Sequence, residues 1–168
     1  FDIIIGNPPY IKEYEKREVF DGLRDKDCYQ GKMDLWYLFG DLGLKLLKPD
    51  SYLCFIATNN WVTNAGASNF RNIVLANSKI ENLTDFGAYM IFDSASIQTM
   101  IMLFKNDSVT DNYEFDYRCV VGDKPTKEAV LNLLAKVPSD NAVLLNPVIT
   151  KKNLNDKSLL FTNDENSA

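Results

Sequence analysis

The chain contains no histidine at all, and only three cysteines among 168 residues. Without His, Ser-His-Asp and Cys-His catalysis are excluded within it, as is any His-ligated metal site. Cys28, Cys54 and Cys119 are too few and too scattered for a zinc motif or a disulfide framework. An odd, widely spaced set of this kind reads as a reduced, cytoplasmic chain. Long apolar runs are missing too, so no segment is suited to span a membrane, and no signal peptide opens the sequence. Positive charge is scarce: 18 Lys+Arg stand against 23 Asp+Glu, a net charge of -5, which gives no electrostatic encouragement for nucleic-acid binding. Material for a core is present, with 46% hydrophobic and 12% aromatic residues, and this argues against disorder. The length suits one ordinary domain or part of a larger one. The start Phe1-Asp2-Ile3-Ile4-Ile5, with no Met and no polar lead-in, reads as an internal piece of a longer protein.

Short apolar runs alternate with helical patterns. Phe1 to Ile5 is a β-branched run stopped by Gly6-Asn7-Pro8-Pro9, a strand ending in a rigid turn. A continuous apolar run predicts a central parallel strand covered on both faces. Ile11 to Lys32 is crowded with charge, with Val19, Phe20 and Leu23 as its main apolar anchors, and predicts a short surface helix or a weakly ordered loop. Asp34 is placed to cap a helix in which Leu35, Leu38, Phe39, Leu42 and Leu46 recur at three- and four-residue spacing, up to Pro49-Asp50. Ser51 to Thr58 is a second apolar strand, which completes a βαβ unit. A helix through Phe70, Ile73 and Val74 ends near Asn77. Strands follow over Ile80–Phe86 and Ile97–Phe104, and the short link between them predicts an antiparallel pair. Tyr113–Val121 alternates as an edge strand would, and a helix capped by Asp123, with Pro125 in its first turn, runs through Leu134. Beyond Pro138 no boundary is firm, and Thr162–Ala168 reads as a frayed end.

Asn7-Pro8-Pro9-Tyr10 sits at the mouth of an apolar strand, where open α/β sheets bind ligands. The Asn7 side-chain carbonyl can accept a hydrogen bond. The two prolines restrict φ, so the turn loses little entropy on ordering, and Pro8 keeps a backbone carbonyl that no helix claims. Two such acceptors can hold an exocyclic amine. Tyr10 adds a flat face for stacking on a planar ring. An isolated Asn-Pro-Pro would be an ordinary capped turn; the four residues together at a strand mouth favour chemistry.

FDIIIGNPPYI resembles the catalytic motif of S-adenosylmethionine-dependent amino-methyltransferases. That group includes adenine-N6 DNA methyltransferases, some RNA methyltransferases and the glutamine methyltransferases of release factors. The segments LWYLFGDLGLKLLKPDSYLCFIATNNWVTN and FRNIVLANSKIENLTDFGAYMIFDSASIQTMIMLFKN resemble TaqI-like and Eco57I-like DNA adenine methyltransferases. The likeness covers about residues 1–106. It implies an α/β fold: part of a Rossmann-like sheet, parallel strands plus an antiparallel terminal hairpin, namely strands four to seven of seven. Residues 1–106 would be the C-terminal half of the catalytic domain. Residues 107–168 would be an edge strand, a helix and a connector towards a DNA-recognition domain.

The resemblance also implies roles. Asn7, Pro8, Pro9 and Tyr10 would form the catalytic turn, with Asn7 and the Pro8 carbonyl accepting hydrogen bonds from the adenine amine. Tyr10 and Phe92 would sandwich the flipped base. Asn7 and Phe39 would lie on the cofactor side, although Phe39 fits ordinary helix core as well, and Trp61 fits a core or rim role. No metal is implied. S-adenosylmethionine would be held mostly upstream of Phe1, so the chain alone is expected to bind it weakly and not to methylate. The expected partner is double-stranded DNA with a flipped adenine, in a cytoplasmic restriction-modification enzyme. An RNA or protein amino-methyltransferase, and a non-catalytic binding module, remain as rivals.

Overall fold

The computed structural model describes residues 1–92, 97–108, 111–150 and 159. Six strands form one sheet in the order β1-β2-β4-β3-β6-β7, and two short strands, β5 and β8, pair separately. β1 (Ile3–Gly6) runs parallel to β2 (Tyr52–Thr58), with Ile3 opposite Tyr52 and Gly6 opposite Phe55. β3 (Lys79–Asp85) and β4 (Thr99–Lys105) are the expected antiparallel pair. The sequence pattern did not reveal that β4 slots between β2 and β3, antiparallel to both. Such insertion leaves β2 and β3 with β4 as a shared neighbour and aligns the C-terminal ends of β1, β2 and β3.

α1 (Leu35–Leu46) and α2 (Ser68–Asn77) contribute to the main core together with Leu53, Phe55 and Ala57 of β2 and Met100, Met102 and Phe104 of β4. The alternation of β2 sends Ile56 the other way, towards a second cluster built on Phe86, Val120, Val130 and Leu133. α3 (Lys127–Leu134) closes that side against β6 (Asp116–Val120) and β7 (Ala142–Leu145).

Several expectations are corrected. Among the described residues β1 pairs with β2 alone, and Ile3 and Ile5 are 61% and 77% exposed, where a strand covered on both faces was expected. Residues 11–32 are not a loose loop. Arg17–Phe20 form a turn of 3-10 helix, Phe20 and Cys28 are buried, and the Gln30 side chain accepts hydrogen bonds from Ser68 and from the Asn69 N–H at the start of α2. The buried anchors overcome the surrounding charge. The alternating run after Tyr113 breaks into β5 (Tyr113–Glu114) and β6. β6 is not the edge, because β7 pairs with its far side. β7 and β8 (Val148–Ile149) went unread beneath an Asn- and Asp-rich composition. α3 is capped by Thr126, whose hydroxyl accepts from the Ala129 N–H at 3.2 Å, so Asp123 and Pro125 lie before the helix.

The sharpest correction concerns α1. Of its apolar stripe, Leu35 is buried and Leu38 packs against the core, but Phe39, Leu42 and Leu46 are exposed, while Trp36, Tyr37, Gly40, Gly43 and Leu44 are buried. The reason is close approach. A Cβ on Gly40 would stand 2.6 Å from the Phe70 ring, and one on Gly43 would meet Leu53. Glycine lets the helix lie down on α2 and β2, and Phe39, Leu42 and Leu46 are turned outward. No described helix is long and apolar enough to cross a membrane.

Candidate active site

Parallel pairing carries the turn after β1 and the turn after β2 to the same end of the sheet. The end of β3 and the start of β4 arrive there as well, since β4 is antiparallel to both neighbours. Four segments therefore converge: Asn7–Tyr10, Asn59–Asn60, Asp85–Gly87 and Ile97–Gln98. Ligands of open α/β sheets bind at such strand ends. A cavity of about 490 Å³ lies here, lined among others by Tyr10, Lys12, Asn59, Asn60, Met90 and Gln98.

In the Asn-Pro-Pro-Tyr turn, Pro8 is buried, Asn7 and Pro9 are exposed and Tyr10 is half-buried. The Tyr10 hydroxyl lies 2.9 Å from the Ile56 carbonyl oxygen and 2.5 Å from Asn7 Oδ1. One phenolic proton can serve only one acceptor at a time. The first contact ties the turn to β2, and the second orients the Asn7 amide. Burial, followed by the field of Asp34, pushes the Tyr10 hydroxyl up to about 12, so it stays a neutral donor.

Lys12 continues the turn. Its ammonium meets Asp34 Oδ2 at 2.8 Å, and the Asp34 side chain is wholly buried. Asp34 occupies the N-cap position of α1, but its side chain makes no capping bond, which departs from the expectation. The Lys12 contact takes its place, and Oδ1 has no hydrogen-bond partner among the described residues.

Asn59 and Asn60 carried no expectation. The signal available was the one that marked Asn7: polar residues directly after an apolar parallel strand. Asn59 Nδ2 donates to Asp85 Oδ1 at 3.0 Å, and the Gly87 N–H donates to the same oxygen at 2.9 Å. Burial raises the Asp85 carboxyl above the ordinary range, and those two bonds oppose the rise. Trp36 Nε1 donates to Thr58 Oγ1 at 2.9 Å, and Thr58 donates to Asn60 Oδ1 at 3.1 Å.

Phe92 is half-buried; Met90 and Ile97, on either side of it in sequence, line the cavity. Asp93 and Ser94, read with it as a loop, lie outside the described residues. Phe39 is 44% exposed and lines a second, apolar cavity of about 410 Å³ with Leu23, Leu35, Leu38 and Leu42. Of its two open readings, helix core is therefore set aside. Trp61 is fully buried and donates its indole N–H to Met100 Sδ at 3.1 Å, so it belongs to the core. Among the described residues no cluster of His, Cys, Asp or Glu could hold a metal ion.

Residues 1–92 match the Eco57I restriction-modification methylase family. The chain belongs to this family. Among curated relatives of the Eco57I-family chain, the type II restriction enzyme and methyltransferase RM.Eco57I of Escherichia coli is 26% identical over 122 residues. The type II methyltransferase M.HincII of Haemophilus influenzae is 26% identical over 117. The matches take in 68% and 67% of this chain but span only 12% and 23% of those proteins. The type I restriction-modification methyltransferase subunit from Streptococcus thermophilus shares the fold, with a TM-score of 0.53 at 21% identity, over 86% of this chain and 34% of that one. The mixed α/β sheet is thus that of the restriction-modification methyltransferases.

Proposed function

We propose that this chain supplies the methyl-accepting side of a site-specific DNA methyltransferase that modifies the N6 amine of a flipped adenine. The observation that carries the reading is Tyr10, which lines the 490 Å³ cavity at the aligned strand ends and whose hydroxyl meets Asn7 Oδ1 at 2.5 Å, beside buried Pro8.

The chemistry follows from those residues. An adenine amine is a poor nucleophile because its lone pair is delocalised into the ring. Asn7 Oδ1 has two lone pairs, so Tyr10 leaves one open for an amine proton, and the Pro8 carbonyl can take the other proton. Two acceptors so placed favour a pyramidal nitrogen and aim its lone pair. Rate then comes from position and electrostatic complementarity, and no strong base is needed before attack. The Tyr10 ring face, with Phe92 from the other side, would offset part of the cost of unstacking the base.

The cavity at Phe39 suits S-adenosylmethionine. An exposed aromatic face among leucines fits a flat heterocycle, and Asp41 and Lys45 on the same helix lie within its lining. When bound, S-adenosylmethionine supplies an electrophilic methyl group on a sulfonium. Phe39 and the leucines would shelter its ring from water.

The test uses the full-length protein and labelled S-adenosylmethionine, offered DNA, RNA and release-factor substrates. Label is expected in DNA, as N6-methyladenine. Asn7→Ala should lower transfer on the order of a hundredfold, in line with the loss of one preorganised polar contact in a reaction site. Label in RNA or protein alone, or undiminished transfer by Asn7→Ala, overturns the reading.

A further inference from the structure

The cavity that Tyr10 lines adjoins another, of about 290 Å³, because Tyr14 lines both. Arg17, Arg24, Lys32 and Tyr29 line this second cavity too, and among the described residues Glu13 is its one carboxylate. Glu13 is already engaged: its Oε1 accepts from the Tyr29 hydroxyl at 2.5 Å and lies 3.9 Å from Arg24 Nε. Arg24 is braced, with Nη1 donating to exposed Asp21 at 2.8 Å and Nη2 to the Arg17 carbonyl oxygen at 3.3 Å. Arg17 and Lys32 are exposed, and neither side chain has a hydrogen-bond or ion-pair partner among the described residues. Three cations thus meet one engaged carboxylate, in a chain whose net charge is -5. The backbone holds them in place. The Glu13 N–H donates to the Met33 carbonyl at 3.0 Å and the Leu35 N–H to the Ile11 carbonyl at 2.9 Å, which clamps the two ends of the segment together. Lys32 has a φ of 50°, in the left-handed region that lysine rarely adopts. Such a conformation persists where its surroundings fix it, and here a Cβ on Gly66 would collide with the Lys32 carbonyl oxygen.

We infer that this second cavity binds a backbone phosphate of the DNA strand that carries the target adenine, with Arg17 and Lys32 as its contacts. The inference rests on the base-methylation reading above and adds a contact that positions the same substrate. A base seated in the Tyr10 cavity stays covalently tied to its own phosphates, and the rim that Tyr14 shares is the way from one cavity to the next. A guanidinium fork matches paired phosphate oxygens, and an ammonium adds a point charge. Such contacts fix the register of the strand and carry no base information, so they complement a cavity that receives the base itself. An acidic peptide would satisfy the same charges, but nothing would tether it to a base next door. Arg24, braced by Asp21 and the Arg17 carbonyl, acts mainly to hold Arg17 and is a positioning residue.

The experiment uses the full-length methyltransferase and duplexes of its own site, with dissociation constants measured over a series of salt concentrations. In a second set of duplexes, each phosphate flanking the target adenine is replaced in turn by a neutral methylphosphonate. Wild type should lose affinity at one of these positions, and Arg17→Gln should lose nothing further there, because its partner is already gone. Arg17→Gln and Lys32→Gln should each make the slope of log affinity against log salt shallower by about 1, as for one lost phosphate contact. Lys16→Gln removes an exposed lysine of the same segment that does not line the cavity, and should keep the wild-type slope. Lys32→Gly suits the left-handed backbone, so it should melt no lower than wild type and still show the shallower slope. If Arg17→Gln stays as sensitive as wild type to every neutral phosphate, or Lys16→Gln flattens the slope equally, the phosphate site falls and the methylation reading stands. A wild-type enzyme that methylates no DNA brings down the methylation reading itself.

Discussion

Tyr10 faces two acceptors with one proton, and this makes the Asn7 amide adjustable. With the hydroxyl turned to Ile56, both lone pairs of Asn7 Oδ1 are open; with it turned to Asn7, one remains. Lys12 has the opposite character, since it is committed to a carboxylate that solvent does not reach. Removing one partner of a buried pair leaves an uncompensated charge. Lys12→Met should therefore cost about 3 kcal/mol in chemical denaturation. Pairing it with Asp34→Leu should recover much of the loss, since the stranded charge is then gone. If the single and the double variant melt alike, the pair does not matter to stability. Both residues were in plain view in the sequence, but their meeting across 22 positions was not.

At the scale of elements, α1 shows why hydrophobic spacing alone misleads. The leucine stripe was legible and the helix boundaries were nearly right, yet the buried side is the one bearing Gly40 and Gly43. Distance of approach decided the orientation, and that depends on Phe70 and Leu53, which belong to other elements. Phe70 cannot give way easily: it stacks on Tyr37 at 5.5 Å and meets Trp36 and Trp61 edge-on at 5.1 and 5.6 Å. Gly40→Ala should accordingly destabilise by about 1–3 kcal/mol, the usual cost of overpacking, less the gain of about 1 kcal/mol in helix propensity. Thermal melting checks it, and a stabilised variant would refute the close-packing account. Phe39→Ser, on the outward side, should leave melting nearly unchanged while weakening S-adenosylmethionine binding by the full-length protein, measured calorimetrically. A variant that melts much lower would place Phe39 in the core after all.

For the molecule as a whole, pH reports on the aligned strand ends. Asp85 has its carboxyl raised by burial, so its ionised form is disfavoured in the fold. The stability linked to a raised pKa is fully present below the unfolded value, here 3.8, and is lost as pH rises through the folded value. Ionised Asp85 is thus a cost at neutral pH. Asp85→Asn should melt higher than wild type at pH 7, and the gap should close as pH falls below that unfolded value. A gap that widens on acidification would reverse the assignment. The same carboxylate holds the Asn59 amide at 3.0 Å, so the molecule bears a stability cost at the aligned strand ends.

Local chemistry made much of this protein legible from its sequence. Apolar runs located β1 to β4 and periodicity located α1 and α2, because each depends on neighbours within a few residues, and the Asn-Pro-Pro-Tyr turn was legible for the same reason. Composition excluded histidine chemistry without any structure. Tertiary contacts decided the rest. The insertion of β4 between β2 and β3, the glycine side of α1 and the buried Lys12–Asp34 pair arise from residues far apart in the chain. So do the hydrogen bonds behind Asn59 and Asn60, because the Asp85 that holds the first is 26 positions away and the Trp36 that bonds Thr58 is 22 from it. Orientation of a side chain within a site is a property of what stands behind it, and only the folded sheet brings that support into place.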